Sequence, residues 1–276
     1  VYPSEELQAQ CYSGSGHACV IRFSSALVDL LDDKEFAFVA GHEIGHFLLR
    51  HGGDFQEHER DSLEFFMQSR AQEISVDRVG LVACGSLNVA IKALMKTVSG
   101  LSGRHLRFDV SSFIAQIRST SWAGDEKASH PPILVRCRAL LWFSLSEEFL
   151  KGEFPAARNA FSALDEKITG DFSKYVDGPA RERIQQAKDD LAMWMAVAAI
   201  LKRKVFTKED QARFKQLFGQ ASLEGVKRLL NDEALNKAEV IVSERFAMAR
   251  DHLLGLIPRS FQVEVKTLKK WDKAAN

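Results

Sequence analysis

The sequence lacks an excess of charge of either sign. Its 276 residues carry 37 Lys and Arg against 37 Asp and Glu, so the formal net charge is zero. A protein that binds nucleic acid usually carries a basic excess, so this composition argues against nucleic acid as a partner. The chain also lacks a long apolar run, because its longest candidate, at 191–201, is shorter than the roughly 18 residues of a membrane-spanning helix. We therefore expect no membrane span.

Cysteine is scarce, and the four residues of this type are Cys11, Cys19, Cys84 and Cys137. None of them shows C-x-x-C spacing, and four are too few for a disulfide framework in a chain of this size. We therefore expect free thiols in a reducing compartment. The sequence also shows no signal peptide. A cytoplasmic location is expected, with a periplasmic location as the alternative if an N-terminal leader has been removed.

One short segment carries residues suited to metal chemistry, since residues 40–51 are AGHEIGHFLLRH and contain H-E-x-x-H. Positions four apart lie on one face of an α-helix, so His42 and His46 can offer their imidazoles to one ion. This spacing is typical of zincins, in which a catalytic zinc has three protein ligands and one water. Glu43 is then the general base that acts on this water. The alternative is a solvated helix face that carries two histidines by chance.

The surrounding sequence predicts that the motif lies on a helix. Asp32 has the position of an N-cap, and Glu35 completes a capping box three residues later. Gly41 and Gly45 leave room for another element to approach the helix closely. The glycine pair at 52–53 predicts the helix end, because glycine is favoured just after the last turn.

A third zinc ligand is expected on the next helix, which capping signals predict over 61–84. Glu73 and Asp77 are four apart on its mostly apolar face, where an unpaired carboxylate is unfavourable. We interpret Glu73 as the third ligand and Asp77 as the acceptor for the free N–H of a ligand histidine. A salt bridge from Asp77 to Arg70 or Arg78 is the alternative.

Two other histidines compete with Glu73 for the third ligand position. His51 lies five residues after His46, about 140° round the helix, so we expect its side chain to point away from the metal. His58 lies in a polar segment beyond the glycine pair. A metzincin pattern would require His at position 52, where this chain has Gly.

Further elements are predicted around these two helices. Residues 17–23 are expected to form a strand, either an ordinary sheet strand or one that binds an extended peptide by edge pairing. Residues 101–128 are expected to be loop-rich, with a short helical piece near 112–117. A helix is expected over 133–145, after the Pro131-Pro132 pair.

Three segments resemble, in the right order, the motifs of one family: AGHEIGHFLLRH at 40–51, SRAQEISVDRVG at 69–80 and SHPPILVRCRAL at 129–140. They are similar to the H-E-x-x-H, E-x-x-x-D and S-x-H-P…R-x-x-x-L blocks of the HtpX-like and CAAX prenyl protease group of gluzincin metallopeptidases. The resemblance implies zinc on His42, His46 and Glu73. It further implies base catalysis by Glu43, Asp77 beside a ligand histidine, and both His130 and Arg136 near the cleft.

The expected fold is α+β and mainly helical. It comprises a zincin-like catalytic domain with a small sheet at 1–145 and an all-α C-terminal domain at 146–276. The helical spacing of the second part distantly resembles TerB-like domains, and this part is a possible partner-binding domain. Within it, residues 261–265 alternate in polarity and are expected to form a strand.

Two features depart from the resembled group. Family members that act in membranes carry transmembrane helices, so membrane-protein substrates do not follow for this chain. The interval between His46 and Glu73 is shorter than is usual and resembles that of ImmA/IrrE-type regulatory peptidases. Those proteins, however, usually end the third motif with Ala-Asn, where this chain has Val76-Asp77.

Three functional hypotheses follow. The first is a zinc-dependent metalloendopeptidase that acts on unfolded or partner proteins, with His130 or Arg136 stabilising the oxyanion because the chain has only three Tyr. The second is an ImmA/IrrE-like regulatory peptidase that cuts one partner, recruited by the helical half. The third is a latent zinc-containing interaction protein, although a purely structural zinc site would not need Glu43.

Overall fold

The computed structural model describes residues 1–13, 19–51, 55–106, 109, 112–113, 125–154, 161–231 and 235–273. The chain divides into two compact units. The first comprises 1–60 and 66–178, and the second comprises 61–65 and 179–276. None of the described helices is long and apolar enough to cross a membrane. The prediction of a mainly helical α+β fold with a small sheet is confirmed.

The first unit begins with an antiparallel hairpin of β1 (Ala9–Ser13) and β2 (Cys19–Phe23), in which Cys11 lies opposite Ile21. Strand β2 confirms the predicted strand over 19–23, whereas residues 17 and 18 lie outside the described residues. Strand β1 was not predicted, because its sequence AQCYS carries no β-branched residue. Strand β1 packs against the motif helix that follows.

Helices α1 (Ser25–Leu30) and α2 (Asp33–Leu48) follow the hairpin. The predicted capping box is present, since the Asp32 side chain accepts from the backbone of Glu35 and the Glu35 side chain accepts from that of Asp32. The buried Glu35 carboxylate also pairs with Lys96 at 2.5 Å. This pair links the start of α2 to α4 (Leu87–Ser99).

The predicted end of α2 at 52–53 is wrong. The last helical residue is Leu48, and Leu49 closes the helix through its N–H to the carbonyl of Gly45. Arg50 then has a φ of 56°, in the left-handed region, which turns the chain out of the helical path. A 3₁₀ helix at Glu57–Glu59 leads to α3. The glycine pair at 52–53 lies outside the described residues.

The helices that follow α2 in the first unit are α3 (Leu63–Cys84), α4, α5 (Ile133–Ser144), α6 (Glu147–Lys151) and α7 (Ser162–Tyr175). They confirm the helices predicted over 61–84 and 133–145. Of the helical piece predicted near 112–117, only residues 112–113 are described, and these are helical. The main core of this unit is formed by buried apolar side chains that include Leu27, Phe38, Leu81, Ile91, Leu140 and Phe143.

The boundary between the two units lies after Gly178, whereas the sequence placed a domain boundary at 145. The difference arises because Ile168 and Phe172 of α7 are buried in one cluster with Val135 and Ala139 of α5. Helices α6 and α7 therefore belong to the first unit by packing. The division of function between the two parts stays a prediction.

The second unit contains α8 (Gly178–Arg203), α9 (Lys208–Asn231), α10 (Leu235–Leu256) and α11 (Phe261–Lys273). Gly219 interrupts α9 with a non-helical backbone. This unit has its own buried cluster, which includes Val197, Phe214, Leu223, Val226 and Val242.

The predicted strand at 261–265 is wrong, because this segment forms the first turns of α11. Phe261 is buried, and Val263, which strand alternation would bury with it, is 66% exposed. The backbone N–H groups of Arg259 and Ser260, at the helix start, donate to the carboxylate of Glu64. A carboxylate at this position is favoured by the unpaired N–H groups and the dipole of the helix.

Candidate metal centre

Close packing of α2 against α3 brings the sequence-predicted side chains together. A Cβ atom at Gly41 would lie 2.6 Å from Cβ of Ala83, and one at Gly80 would lie 2.7 Å from the carbonyl oxygen of Phe38. The two helices therefore approach each other through glycine, as the sequence predicted for Gly41. This close approach lets carboxylates of α3 reach imidazoles of α2.

Three side chains converge at this contact. The Nε2 atom of His42 lies 3.4 Å from Oε2 of Glu73, and Nε2 of His46 lies 3.5 Å from Oε1 of the same carboxylate. One ligand atom from each residue lies within 4.8 Å of the others. Two imidazoles and one carboxylate form a donor set that suits zinc in a catalytic site.

One oxygen of Glu73 has an unusual environment. Its Oε2 is buried, and no group among the described residues donates a hydrogen bond to it. A carboxylate oxygen can only accept, and burying it without a donor is costly. A cation bound between Glu73, His42 and His46 would satisfy this oxygen, so the residues fit a metal ion.

Asp77 lies behind the first imidazole, where its Oδ1 is 3.0 Å from Nδ1 of His42. The guanidinium of Arg136 donates two hydrogen bonds to the buried Asp77 carboxylate, at 2.8 and 2.6 Å. Asp77 thus pairs with neither arginine that the sequence offered as its salt-bridge partner. Arg70 pairs with Asp177, and Arg78 pairs with Asp165.

The charges at this cluster shift the pKa values of its members. Burial alone would lower the pKa of His42, but the hydrogen bond to Asp77 and the carboxylate of Glu73 raise it to about 9. Burial would raise the pKa of Glu73, but the imidazoles of His42 and His46 hold it well below its usual range. Burial would also raise the pKa of Asp77, but the guanidinium of Arg136 lowers this pKa below its usual value. In the metal-free protein, the His42 proton supplies the positive charge that a metal would bring.

Glu43 follows His42 on α2 and is half-buried. Burial raises the pKa of its carboxyl group, while the nearby imidazoles of His42 and His46 lower it in part. The net shift is upward, towards the pH at which a carboxylate acts well as a general base.

His130 and Arg136 both lie beside the cluster. Nε2 of His130 is 3.7 Å from Oε2 of Glu73, and the His130 side chain is 66% exposed. A terminal nitrogen of Arg136 is 3.8 Å from the same oxygen, but this side chain is only 11% exposed and its guanidinium is hydrogen-bonded to Asp77. His130 is therefore the more available of the two to an incoming molecule.

Residues 2–60 match peptidase family M48. The matched segment contains the hairpin, α1 and α2, and hence His42, Glu43 and His46; Glu73 lies beyond it. No curated protein and no solved structure matches the chain. The M48 match supports a metallopeptidase, and the cluster of His42, His46 and Glu73 is compatible with the metal site that such an enzyme needs.

His51, which also lies within the M48 match, is not among the converging ligand atoms, but it contacts a histidine of the motif. A continuous helix would turn its side chain away from the motif, but the chain leaves the helical path after Leu48. The Nδ1 atom of His51 lies 3.2 Å from Nδ1 of His46. No local signal predicts this contact, since neither Gly nor Pro follows Leu48 until position 52. His58, the other competing histidine, is exposed and is not among the converging ligand atoms.

Proposed function

We propose that the protein is a zinc-dependent metalloendopeptidase, with zinc held by His42, His46 and Glu73. The observation that carries this proposal is the convergence of one ligand atom from each of His42, His46 and Glu73, with a buried Glu73 oxygen that accepts no hydrogen bond from the described residues. Two imidazoles and a carboxylate leave one coordination position open, which is the arrangement of a catalytic rather than a structural zinc site.

The side chains around the cluster have separate roles in this proposal. The bound zinc would supply Lewis-acid chemistry, polarising the scissile carbonyl and the attacking water. Glu43 takes the proton from the water and returns it to the leaving amine. His130 donates a hydrogen bond to the oxyanion, because its exposed imidazole is not committed to a carboxylate in the way that Arg136 is. Arg136 orients Asp77, which in turn orients the His42 ring.

An extended segment of an unfolded protein is the substrate that we propose. Strand β1 packs against α2. The pKa of the Cys11 thiol is raised mainly by burial, then by Cys19 and by the charge of Glu43, so Cys11 lies near Glu43. Strand β1 is hydrogen-bonded to β2, and no other strand in the described ranges pairs with it. A peptide added to the open edge of β1 would pass beside Glu43 and gain backbone hydrogen bonds independent of its sequence.

Within family M48, we propose the HtpX-like and CAAX prenyl protease group. The second and third sequence blocks supply Asp77 and Arg136, which hydrogen-bond to each other next to His42 of the first block. Contact between all three blocks supports a single site built from them. The M48 match itself favours this group over the ImmA/IrrE-type alternative.

The decisive experiment compares the wild type with Glu43→Gln, using zinc analysis and cleavage of an unfolded protein. We expect equal zinc content and a loss of turnover on the order of 10²–10⁴-fold, because the amide cannot accept the proton. Glu57→Gln, which changes an exposed carboxylate outside the cluster, is the matched control and should leave turnover unchanged.

Other outcomes separate the competing hypotheses. Equal cleavage by wild type and Glu43→Gln would remove Glu43 from the mechanism. A wild type that contains zinc and cuts no unfolded protein would favour the latent interaction protein or a peptidase restricted to one partner. A wild type that cannot be loaded with zinc would refute the proposed metal site.

A further inference from the structure

A different group contacts the Nδ1 atom of each of the two motif histidines. For His42, this group is Asp77, at 3.0 Å from Nδ1. For His46, it is a second imidazole, since Nδ1 of His51 lies 3.2 Å from Nδ1 of His46. The rings of His46 and His51 meet edge to face, with centroids 5.2 Å apart and planes inclined by 74°.

The direction of the His46 ring decides what this contact can do. Its Nε2 faces Oε1 of Glu73, so Nε2 is the nitrogen available to a metal, and Nδ1 points to the opposite side. An imidazole that binds a metal through Nε2 carries its proton on Nδ1 and needs an acceptor there. A neutral His51 with its proton on Nε2 presents a lone pair on Nδ1, which can accept this hydrogen bond.

The backbone after α2 places His51 in this position. The left-handed Arg50 reverses the chain, and the N–H of His51 donates to the carbonyl of His46 at 2.9 Å. A backbone hydrogen bond and a ring contact thus join the same two residues. This local closure fixes the His51 ring on the Nδ1 side of His46, away from the converging ligand atoms.

We propose that His51 is a positioning residue for the metal site. Its Nδ1 accepts the hydrogen bond from Nδ1–H of His46 and fixes the ring so that Nε2 points towards Glu73. His51 is not itself a ligand, because it contacts the nitrogen of His46 that faces away from the cluster. The inference rests on the proposed zinc site and adds to it a separate acceptor for each ligand histidine.

The test measures zinc dissociation constants by chelator competition for the wild type, His51→Ala and His51→Asn. Loss of a group that orients a ligand typically weakens metal binding 10–100-fold, so we expect a decrease in this range for His51→Ala. His51→Asn should recover most of the affinity, because its Oδ1 can replace the accepting Nδ1. His58→Ala, at an exposed histidine, is the matched control and should bind zinc like the wild type.

A second measurement separates orientation from folding. Visible absorption of the cobalt-substituted proteins should change in His51→Ala and return towards the wild-type spectrum in His51→Asn. If the alanine variant fails to fold, His51→Leu, which fills the space without an acceptor, takes its place. If the variants without an acceptor kept the wild-type zinc affinity and cobalt spectrum, the role of His51 would be refuted and the proposed metal site would stand. Failure of the wild type to bind zinc would overturn the metal site and this inference together.

Discussion

At the scale of single residues, His42 determines how the metal-free cluster behaves. Its imidazole lies between the carboxylates of Asp77 and Glu73, and these raise its pKa to about 9 despite burial. An imidazole must lose this proton before its Nε2 can bind a metal. Binding of a metal at the proposed site would therefore be coupled to proton release at a pH where an ordinary histidine, with a pKa near 6.5, is already neutral.

This coupling gives a prediction at pH 8. Because the pKa of His42 is about 9, this imidazole is mostly protonated at pH 8. Zinc binding at pH 8 should therefore release about one proton from it. Zinc affinity should rise with pH up to about 9, because the competing proton is lost over this range. Calorimetric titration of zinc in two buffers of different ionisation enthalpy measures the number of protons released.

Asp77→Asn provides the control for this measurement. Removing one carboxylate from beside His42 lowers the pKa of the imidazole, so fewer protons should be released at pH 8. The raised pKa of His42 would be contradicted if zinc bound to the wild type at pH 8 without proton release.

The residues of the candidate site were predictable to the extent that helical spacing determines neighbours. A separation of four places His42 with His46, and Glu73 with Asp77, on common faces. The same rule does not give the contact between His51 and His46, because it assumes a continuous helix and α2 ends at Leu48. It also could not name Arg136 as the partner of Asp77, since these residues are 59 positions apart in sequence. The metal and catalytic roles themselves remain predictions.

At the scale of secondary-structure elements, the contact between α2 and α3 determines the geometry of the cluster. Gly80 faces the backbone and ring of Phe38, and a Cβ added at Gly45 would lie 3.1 Å from Cβ of Val76. The sequence suggested this contact from the side of α2 but gave no reason to single out Gly80. The spacing of the helices at this point sets how far Glu73 and Asp77 can reach towards the motif histidines.

Gly80→Ala should therefore weaken both stability and metal binding. The added Cβ would lie 2.7 Å from a backbone oxygen, which cannot move aside like a flexible side chain. We expect a loss of about 1–3 kcal/mol in the free energy of unfolding, measured by urea denaturation, together with weaker zinc binding.

The matched control is Gly170→Ala in α7, where no atom lies within 4 Å of the added Cβ. Because alanine is the better helix former, this variant should be neutral or more stable by roughly 0.5–1 kcal/mol. A Gly80→Ala variant as stable as Gly170→Ala would contradict the close packing of α2 on α3.

Capping signals predicted most of the helices, whereas a short alternating pattern led to a wrong strand prediction. The box at Asp32 and Glu35 placed the start of α2 correctly. The five residues at 261–265 alternate in polarity, but the longer segment is amphipathic at helical spacing and Glu64 stabilises its start. A capping carboxylate almost two hundred positions away cannot be read from local sequence.

At the scale of the whole molecule, one buried ion pair links distant parts of the first unit. The fully buried Arg70 on α3 donates to Asp177, which follows α7, and to the carbonyl groups of Glu126 and Ala128. Residues 126 and 128 lead directly into the segment that carries His130. Local sequence does not predict this network, because Arg70 and Asp177 are 107 positions apart. The expected domain boundary at 145 stays a prediction.

Arg70→Met should be strongly destabilising, because it leaves the Asp177 carboxylate buried without its partner. Such a change typically costs about 3–5 kcal/mol, measurable as a shift in the denaturation midpoint. Arg250→Met, at an exposed pair with Asp251, should have little effect. If the two variants unfolded at the same denaturant concentration, Arg70 would have no structural role in joining these segments.

The left-handed backbone at Arg50 has a consequence for how the sequence can vary. Most L-residues lose about 1–2 kcal/mol in this conformation, whereas glycine, asparagine and aspartate adopt it more easily. In a library that carries all amino acids at position 50 and is selected for peptide cleavage, these three should be enriched. Valine, isoleucine and threonine should disappear, although the position is exposed to solvent. Selection at this site would act on the shape of the chain alone.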